Sequence, residues 1–272
     1  MRVFWGLLRA CHPLPTLAVT SCVSLLGWRL GWQGDQLLLL IAAVLTGQLS
    51  IGWSNDAHDA AEDSALQRVE KPVVDGSVTS TALWICALAT AVACIPLSLL
   101  AAGLAGGLFH IAAVGMAWWY NLQLSRTRWS WLPYLIAFGA LPFFLCLGGP
   151  WAGLPPLWLI IAAASLGVGA HLANAGADMS RDSAGTVVSL GQRGTIAIAL
   201  PLLAMASLAV VVAISAAMPV LGLVGGIGAL GLVVFAGVQC SQQRWRTGFR
   251  IVMALAGWCV LLVLIAPMNL QG

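Results

Sequence analysis

The sequence predicts an all-α polytopic membrane protein. Hydrophobic residues make up 60% of its 272 positions and charged residues only 8%. Apolar runs of about twenty residues recur from end to end, each about the length of a bilayer-spanning helix. Its few charges gather between particular runs instead of dotting every loop, so they report on topology. A soluble globular fold is excluded, and the net charge of +3 contains no basic block of the kind that nucleic-acid binders carry. No nucleic-acid partner is expected.

Nine transmembrane helices are predicted, at about residues 14–31, 36–54, 78–101, 103–120, 131–149, 155–176, 194–217, 219–238 and 249–267. The segment before the first span holds Arg2 and Arg9 and runs into Pro13 and Pro15 without a small-residue cleavage site, so it reads as retained and not as a signal peptide. The seven cysteines lie mostly inside apolar runs with no CxxC pair, as small buried hydrophobes do. With the N-terminus placed in the cytoplasm, eleven of the twelve basic residues fall on that side: Arg2, Arg9, Arg68, Lys71, Arg126, Arg128, Arg181, Arg193, Arg244, Arg246 and Arg250. Only Arg29 lies across the membrane. This is the positive-inside pattern, and a missed or extra span would scramble it. The whole chain, 1–272, reads as one transmembrane domain with cytoplasmic-side motif regions at 55–76 and 171–194.

Acids obey the same asymmetry for another reason, since they contribute little to topology. Of nine, only Asp35 lies on the far side. Asp56, Asp59, Glu62 and Asp63 crowd the end of the second span, where charge is costly unless something positive meets it. If the helix continues through them, Asn55, Asp56, Asp59 and Asp63 fall within an arc of roughly 100°. After the sixth span, Asn174, Asp178 and Asp182 repeat the four-residue spacing of Asn55, Asp59 and Asp63 about 120 residues later, suggesting two pseudo-equivalent halves.

Carboxylate and carboxamide oxygens are hard ligands suited to Mg²⁺, which typically shares one or two carboxylates with substrate phosphates. Two facing acid clusters repel each other, and divalent ions bridging to a diphosphate relieve that repulsion. Arg68, Lys71, Arg126, Arg128 and Arg181 stand beside the clusters as partners for phosphate oxygens. Apolar spans line the rest, so a ligand with a diphosphate head and a hydrocarbon tail fits both halves of the description.

These residues resemble the UbiA superfamily of intramembrane prenyltransferases. Asn55-Asp56-x2-Asp59-x3-Asp63 matches its NDxxDxxxD motif, and Asp178-x3-Asp182, followed by Gly185 and Gly194, resembles its second motif. Arg9, His12-Pro13 and Pro15-Thr16 resemble the family's start, Arg68-x2-Lys71-Pro72 its basic stretch, and Tyr120-Asn121 through Trp131-Leu132-Pro133-Tyr134 its fourth-to-fifth helix region. The chain departs from the pattern at Leu124-Ser125-Arg126-Thr127, where many relatives carry a lysine. It departs again at Asn174, where a third aspartate is frequent, and in Gly185–Leu190, which lacks the usual proline.

The resemblance implies nine helices bundled around a central cavity and Mg²⁺-dependent transfer of a prenyl group from an isoprenyl diphosphate to a lipophilic acceptor, commonly an aromatic ring. It implies that Asn55, Asp56, Asp59 and Asp63 hold one Mg²⁺ and that Asp178 and Asp182 hold a second. Arg68, Lys71 and Arg126 would stabilise the departing diphosphate, with Arg181 and Asn174 beside them, and Tyr120 would face the allylic cation. Arg9 and His12 would either meet the acceptor at the mouth of the site or anchor the first helix. Two alternatives remain open to the sequence: a terpene cyclase on the same scaffold, and an ion-coupled transporter using the acids as a path. Of the other histidines, His110 is expected to bond a neighbouring helix, His171 to share the Asn174 face, and His58 to point away from the aspartates.

Overall fold

Nine α-helices and one π-helical turn make up the computed structural model, which describes residues 1–177 and 185–266. They are α1 (Arg2–Ala10), α2 (Pro13–Arg29), α3 (Gly34–Ala65), α4 (Ser80–Trp119), the π-turn Tyr120–Leu124, α5 (Leu132–Gly148), α6 (Leu157–Ala175), α7 (Thr186–Ser215), α8 (Pro219–Ser241) and α9 (Trp245–Ile265). Six are long and apolar enough to cross a membrane, or seven if the bent pair α1–α2 counts as one span.

The difference from nine predicted spans lies in α4 and in two short helices. At 40 residues, α4 would be about 60 Å long if straight, twice a bilayer's hydrocarbon core. It is not straight. Gly103 has φ 62° and ψ −170°, a conformation costly for any residue with a Cβ. His110 Nδ1 lies 2.8 Å from Ser98 Oγ, although twelve helical positions would separate them by about 18 Å. The two halves therefore fold back on each other, as the predicted spans 78–101 and 103–120 require. His110 makes the expected bond to a neighbouring helix and stacks on Phe144 of α5, 4.5 Å between centroids. Helices α2 and α5 supply the remaining spans at 17 residues each. A second break, at Gly191 with φ 65°, begins α7 eight residues before the expected span.

Consecutive helices pack as neighbours, and α2 touches both α3 and α9, which closes the series into a ring. Further contacts of α6 with α9 and of α2 with α5 cross its interior. Lipid tails are as apolar as the side chains, so close backbone approach replaces the hydrophobic effect as the packing force. A Cβ added at Gly52 would lie 2.6 Å from the Cys11 carbonyl oxygen, and one at Gly148 would collide with Ala102. Tryptophans tie spans together through the indole N–H: Trp32 donates to the Leu145 carbonyl, Trp53 to Leu7 and Trp258 to Gly225. Others, such as Trp5, Trp28 and Trp129, face outward.

Helix α1 was not among the predicted spans. It is amphipathic: Val3, Phe4, Trp5 and Leu8 are exposed while Gly6 and Ala10 are buried. It bends 63° from α2 at His12, whose φ of 53° is uncommon for a residue with a Cβ.

Gly148→Ala is expected to destabilise the fold by about 1–3 kcal/mol through overpacking against Ala102, read as a lowered thermal unfolding midpoint in detergent.

Candidate active site

Helix α3 does continue through the acid stretch, helped by the good helix formers Ala57, Ala60, Ala61 and Ala65. This places Asp59, Glu62 and Asp63 in its last turns, where the helix dipole already presents its negative end. Cations must come from elsewhere, and they arrive from two segments, joined by the ring of His12 from a third. After Leu66 the chain reverses at Gln67, with φ 52°, and the following loop folds back along the helix. Arg68 Nη1 then lies 3.0 Å from Asp63 Oδ1, and Lys71 Nζ lies 2.6 Å from Asp56 Oδ1 and 4.0 Å from Asp63 Oδ2. His12 Nε2 is 3.0 Å from Asp56 Oδ1. Arg126 pairs with Glu62 and lies 3.6 Å from Asp59 Oδ1.

Burial opposes the charge on Lys71, yet the carboxylates of Asp56, Asp63 and Asp59 outweigh it and raise its pKa above the usual value. Lys71 therefore stays protonated. Asp75, in the same loop, accepts hydrogen bonds from Ser77 and pairs with Arg9 Nη1 at 2.6 Å, which holds its pKa down at about 2.

The π-turn aims the next residues. Such wide turns recur at functional sites because they rotate side chains off the regular helical register. Here Asn121 faces α3, while Tyr120 meets Tyr134 of α5 and His171 of α6. Asn121 Nδ2 donates to the Ile51 carbonyl and to Ser54 Oγ, each at 2.9 Å, and its oxygen lies 3.5 Å from Asn55 Nδ2. Asn55 in turn reaches Asp59 Oδ2 at 3.4 Å.

These groups line a polar cavity of about 340 Å³. Of the expected site residues, Asn55, Asp59, Arg68, Lys71, Arg126, Tyr120 and Asn174 line it. Asp56 and Asp63 do not. They are 2% and 1% exposed and stand behind the wall, held by His12, Lys71 and Arg68. The reason is rotational: relative to Asn55, the positions of Gln48, Asp59 and Glu62 lie within about 40°, whereas Asp56 and Asp63 lie about 80–100° around the helix. Arg9 is also elsewhere. It bonds Asp75 and the Glu70 carbonyl and clasps α1 to the 66–79 loop. Asp178, Arg181 and Asp182 lie outside the described residues. His58 is exposed.

The cavity also recruits Gln48, Glu62, Asn121, Ser130, Thr186, His171 and Arg246. Gln48 and Glu62 continue the Asn55–Asp59 face at helical spacing, a signal present in the sequence. Ser130, Thr186 and Arg246 come from unrelated segments and carry no such signal. His171, 1% exposed, lies 3.0 Å from Ser130 Oγ through Nε2, stacks on Tyr134 at 4.4 Å and meets Tyr120 edge-on at 5.5 Å. Among the described residues its buried Nδ1 has no hydrogen-bond partner.

A second cavity of about 190 Å³ is almost wholly apolar and shares Pro15, Tyr134 and Asn174 with the first. It runs between α2, α5, α6, α7 and α9, following α2 from Pro15 to Leu26, about 17 Å of helix. Among the described residues no three His, Cys, Asp or Glu side chains converge as a preformed metal cage. The oxygens of Asn55, Asp59 and Glu62 on the cavity wall nevertheless fit Mg²⁺, which keeps waters and takes few protein carboxylates when phosphates complete its shell.

The fold and site therefore define a helical membrane protein with an acidic, cation-edged cavity that adjoins an apolar one. The UbiA prenyltransferase family model matches residues 14–256, and the chain belongs to that family. It is an integral multi-pass membrane protein. A UbiA homologue from Aeropyrum pernix superposes with TM-score 0.71 at 16% identity, covering 97% of this chain and 98% of that one. A homologue from Archaeoglobus fulgidus, bound to GPP and Mg²⁺, gives 0.71 at 14% identity over 95% and 99% of the two chains. A structure described as digeranylgeranylglyceryl phosphate synthase gives 0.70 at 12% identity over 98% and 99%. At these identities the likeness is one of fold. No curated protein sequence gives a match.

Two outcomes follow from the ion pairs. Lys71→Met strands Asp56 behind the wall and is expected to cost up to about 3–5 kcal/mol. Adding Asp56→Asn should restore much of that loss, as a double-mutant cycle of unfolding midpoints would read. Because the folded pKa of Asp75 lies below its ordinary value, the clasp with Arg9 is fully present above about pH 4 and lost as pH falls toward 2. Proteolysis after α1 should rise over that window, and Asp75→Asn should raise it at neutral pH.

Proposed function

We propose that this protein transfers a prenyl group from an isoprenyl diphosphate to a lipophilic acceptor within the membrane, with Mg²⁺ as cofactor and two ions held by the two acidic motifs. One observation carries the reading: a polar cavity edged by Asn55, Asp59, Arg68, Lys71 and Arg126 adjoins an apolar cavity along α2, α5, α6 and α9. A diphosphate suits the first and a hydrocarbon tail the second. The homologue from Archaeoglobus fulgidus bound to DMAPP and Mg²⁺, or to GPP and Mg²⁺, supports the same assignment.

Bound Mg²⁺ would neutralise the diphosphate and favour its departure. Asn55 and Asp59, with Glu62 beside them, would hold one ion at the wall, and Asp178 with Asp182 the other. Asp56 and Asp63 take a different part from the one the motif implies. Each neutralises a loop cation, and together they hold Lys71 and Arg68 at the cavity edge, where both face phosphate oxygens. Arg126, paired with Glu62 and near Asp59, can exchange those carboxylates for phosphate. Asn174 lines the head site, and Arg181 would join it as the motif implies. Tyr120 presents a ring at the seam where an allylic cation would form. The apolar walls exclude water, so the cation persists until the acceptor attacks. The motif-bearing end carries eleven of the twelve basic residues and would be cytoplasmic.

The test is turnover by purified protein with Mg²⁺ and isoprenyl diphosphates of several lengths, with and without a membrane lipid extract. Diphosphate release that needs both Mg²⁺ and extract is expected, and EDTA should abolish it. Asp59→Ala and Asp182→Ala should each lower turnover at least about 100-fold. Full turnover in either variant would sink the two-motif site, and a hydrocarbon product formed without extract would indicate a cyclase.

A further inference from the structure

We propose that α1 is a membrane-surface helix: its apolar face beds in the lipid interface at the motif-bearing end of the bundle, and its arginines hold the 66–79 loop to that seat. The inference does not depend on the transferase reading. It begins from an apolar face that the fold leaves uncovered. At about 100° per residue, Phe4, Leu8 and Trp5 fall within an arc of roughly 100°. All three are exposed, Phe4 and Trp5 to 59% and 60%. The opposite face is occupied. A Cβ at Gly6 would meet Ser77 Oγ at 2.9 Å, the Leu7 carbonyl accepts from the Trp53 indole, and Ala10 packs with Ala57, Val78 and Leu83. Turning α1 to hide its aromatic side chains against the bundle would break all of these contacts.

Position and chemistry both select lipid as the occupant. Helix α2 supplies a membrane span, and its Leu14 and Leu17 are exposed toward the acyl chains. Helix α1 joins α2 across Cys11 and His12 and bends 63° away from it, which turns α1 toward the membrane plane. Its exposed face therefore continues the lipid-facing surface of α2 around the bend. Trp and Phe rings beside Leu are the side chains that bed in the boundary between headgroups and acyl chains, and water is the costlier neighbour for them. The charges of α1 are turned elsewhere. Arg9 Nη1 bonds Asp75 Oδ2 at 2.6 Å, Arg9 Nη2 donates to the Glu70 carbonyl at 2.6 Å, and Arg2 Nη2 donates to the Asp75 carbonyl at 2.9 Å. The seat is thus apolar and needs no anionic lipid.

The same three bonds carry the seat's effect into the site. The loop that α1 grips at Glu70 and Asp75 also bears Arg68 and Lys71, which line the polar cavity. With α1 fixed to the bilayer, the membrane surface restrains the backbone that presents both cations. Segments held by few apolar contacts open most readily, and without lipid α1 keeps only its Gly6–Ala10 face. Phe4, Trp5, Leu8 and Arg9 are in this sense positioning residues, acting on the cavity through the loop.

The experiment uses full-length protein in phosphatidylcholine nanodiscs, with the photo-cross-linker p-benzoylphenylalanine in place of Phe4, of Leu8 or, as a lipid-facing reference, of Leu17. Mass spectrometry after illumination is expected to show a phospholipid adduct at all three positions, and adding phosphatidylglycerol should not raise the yield at Phe4 or Leu8. The second arm reads hydrogen exchange. Phe4→Gln combined with Leu8→Gln keeps good helix formers in α1 but removes its apolar anchors, and should speed exchange of the 66–79 amides at least about tenfold while the spans α3–α9 exchange as in wild type. Arg9→Gln should speed the loop alike, yet leave the lipid adduct at Phe4 in place. An adduct at Leu17 but none at Phe4 and Leu8, an adduct to a second copy of the chain instead of lipid, or a yield that requires phosphatidylglycerol would overturn the lipid seat. Unchanged loop exchange in either variant, or faster exchange of loop and spans together, would overturn the restraint on the loop. Neither arm needs turnover, so both results stand apart from the transferase assignment.

Discussion

Several carboxylates at the C-terminal end of one helix, inside a bundle with little other charge, set the terms for the rest of this structure. The dipole of α3 disfavours them, burial disfavours them further, and they disfavour one another. They persist because partners from three separate segments converge on them: the His12 ring between α1 and α2, the cations Arg68 and Lys71 in the returning loop, and Arg126 beyond the π-turn. The left-handed backbone at His12 and Gln67 and the widened turn at Tyr120 all serve this convergence. The acids and cations thus position one another, leaving a subset of each to face the cavity.

The bundle around that end obeys a different rule. In lipid the spans gain little from hiding apolar side chains, so small residues let backbones touch and indole N–H groups reach carbonyls on neighbouring helices. The hairpin inside α4 is the clearest case. Gly103 reverses the chain, Gly107 lets it return against Ser98 and Leu99, and His110 closes the pair through Ser98. The apolar cavity lies inside this ring, between α2, α5, α6, α7 and α9.

The meeting of the two cavities at Pro15, Tyr134 and Asn174 gives the protein its chemical polarity. Charge is concentrated on one side of the seam and nearly absent on the other. Tyr120, Tyr134 and His171 form an aromatic cluster at that boundary, where a cation formed by loss of an anionic head would meet ring faces and not water.

Much of this was legible in the sequence. Apolar runs of bilayer length specify helices because no other local structure satisfies the backbone in lipid, and the boundaries of most spans followed. Four-residue spacing put Asn55 and Asp59 on one face; Gln48 and Glu62, seven positions to either side of Asn55, share that face but lie outside the motif. The tertiary structure alone decided how that face is turned. Asp56 and Asp63 share the motif with Asp59, yet they point behind the wall, where they meet partners that lie up to 44 positions away in the chain. Arg9 resembles a site residue in sequence and is a clasp in space. The link of His171 to Ser130 and Thr186 had no local signature at all, since a hydrogen-bond chain assembled from three segments exists only once the ring of helices has closed.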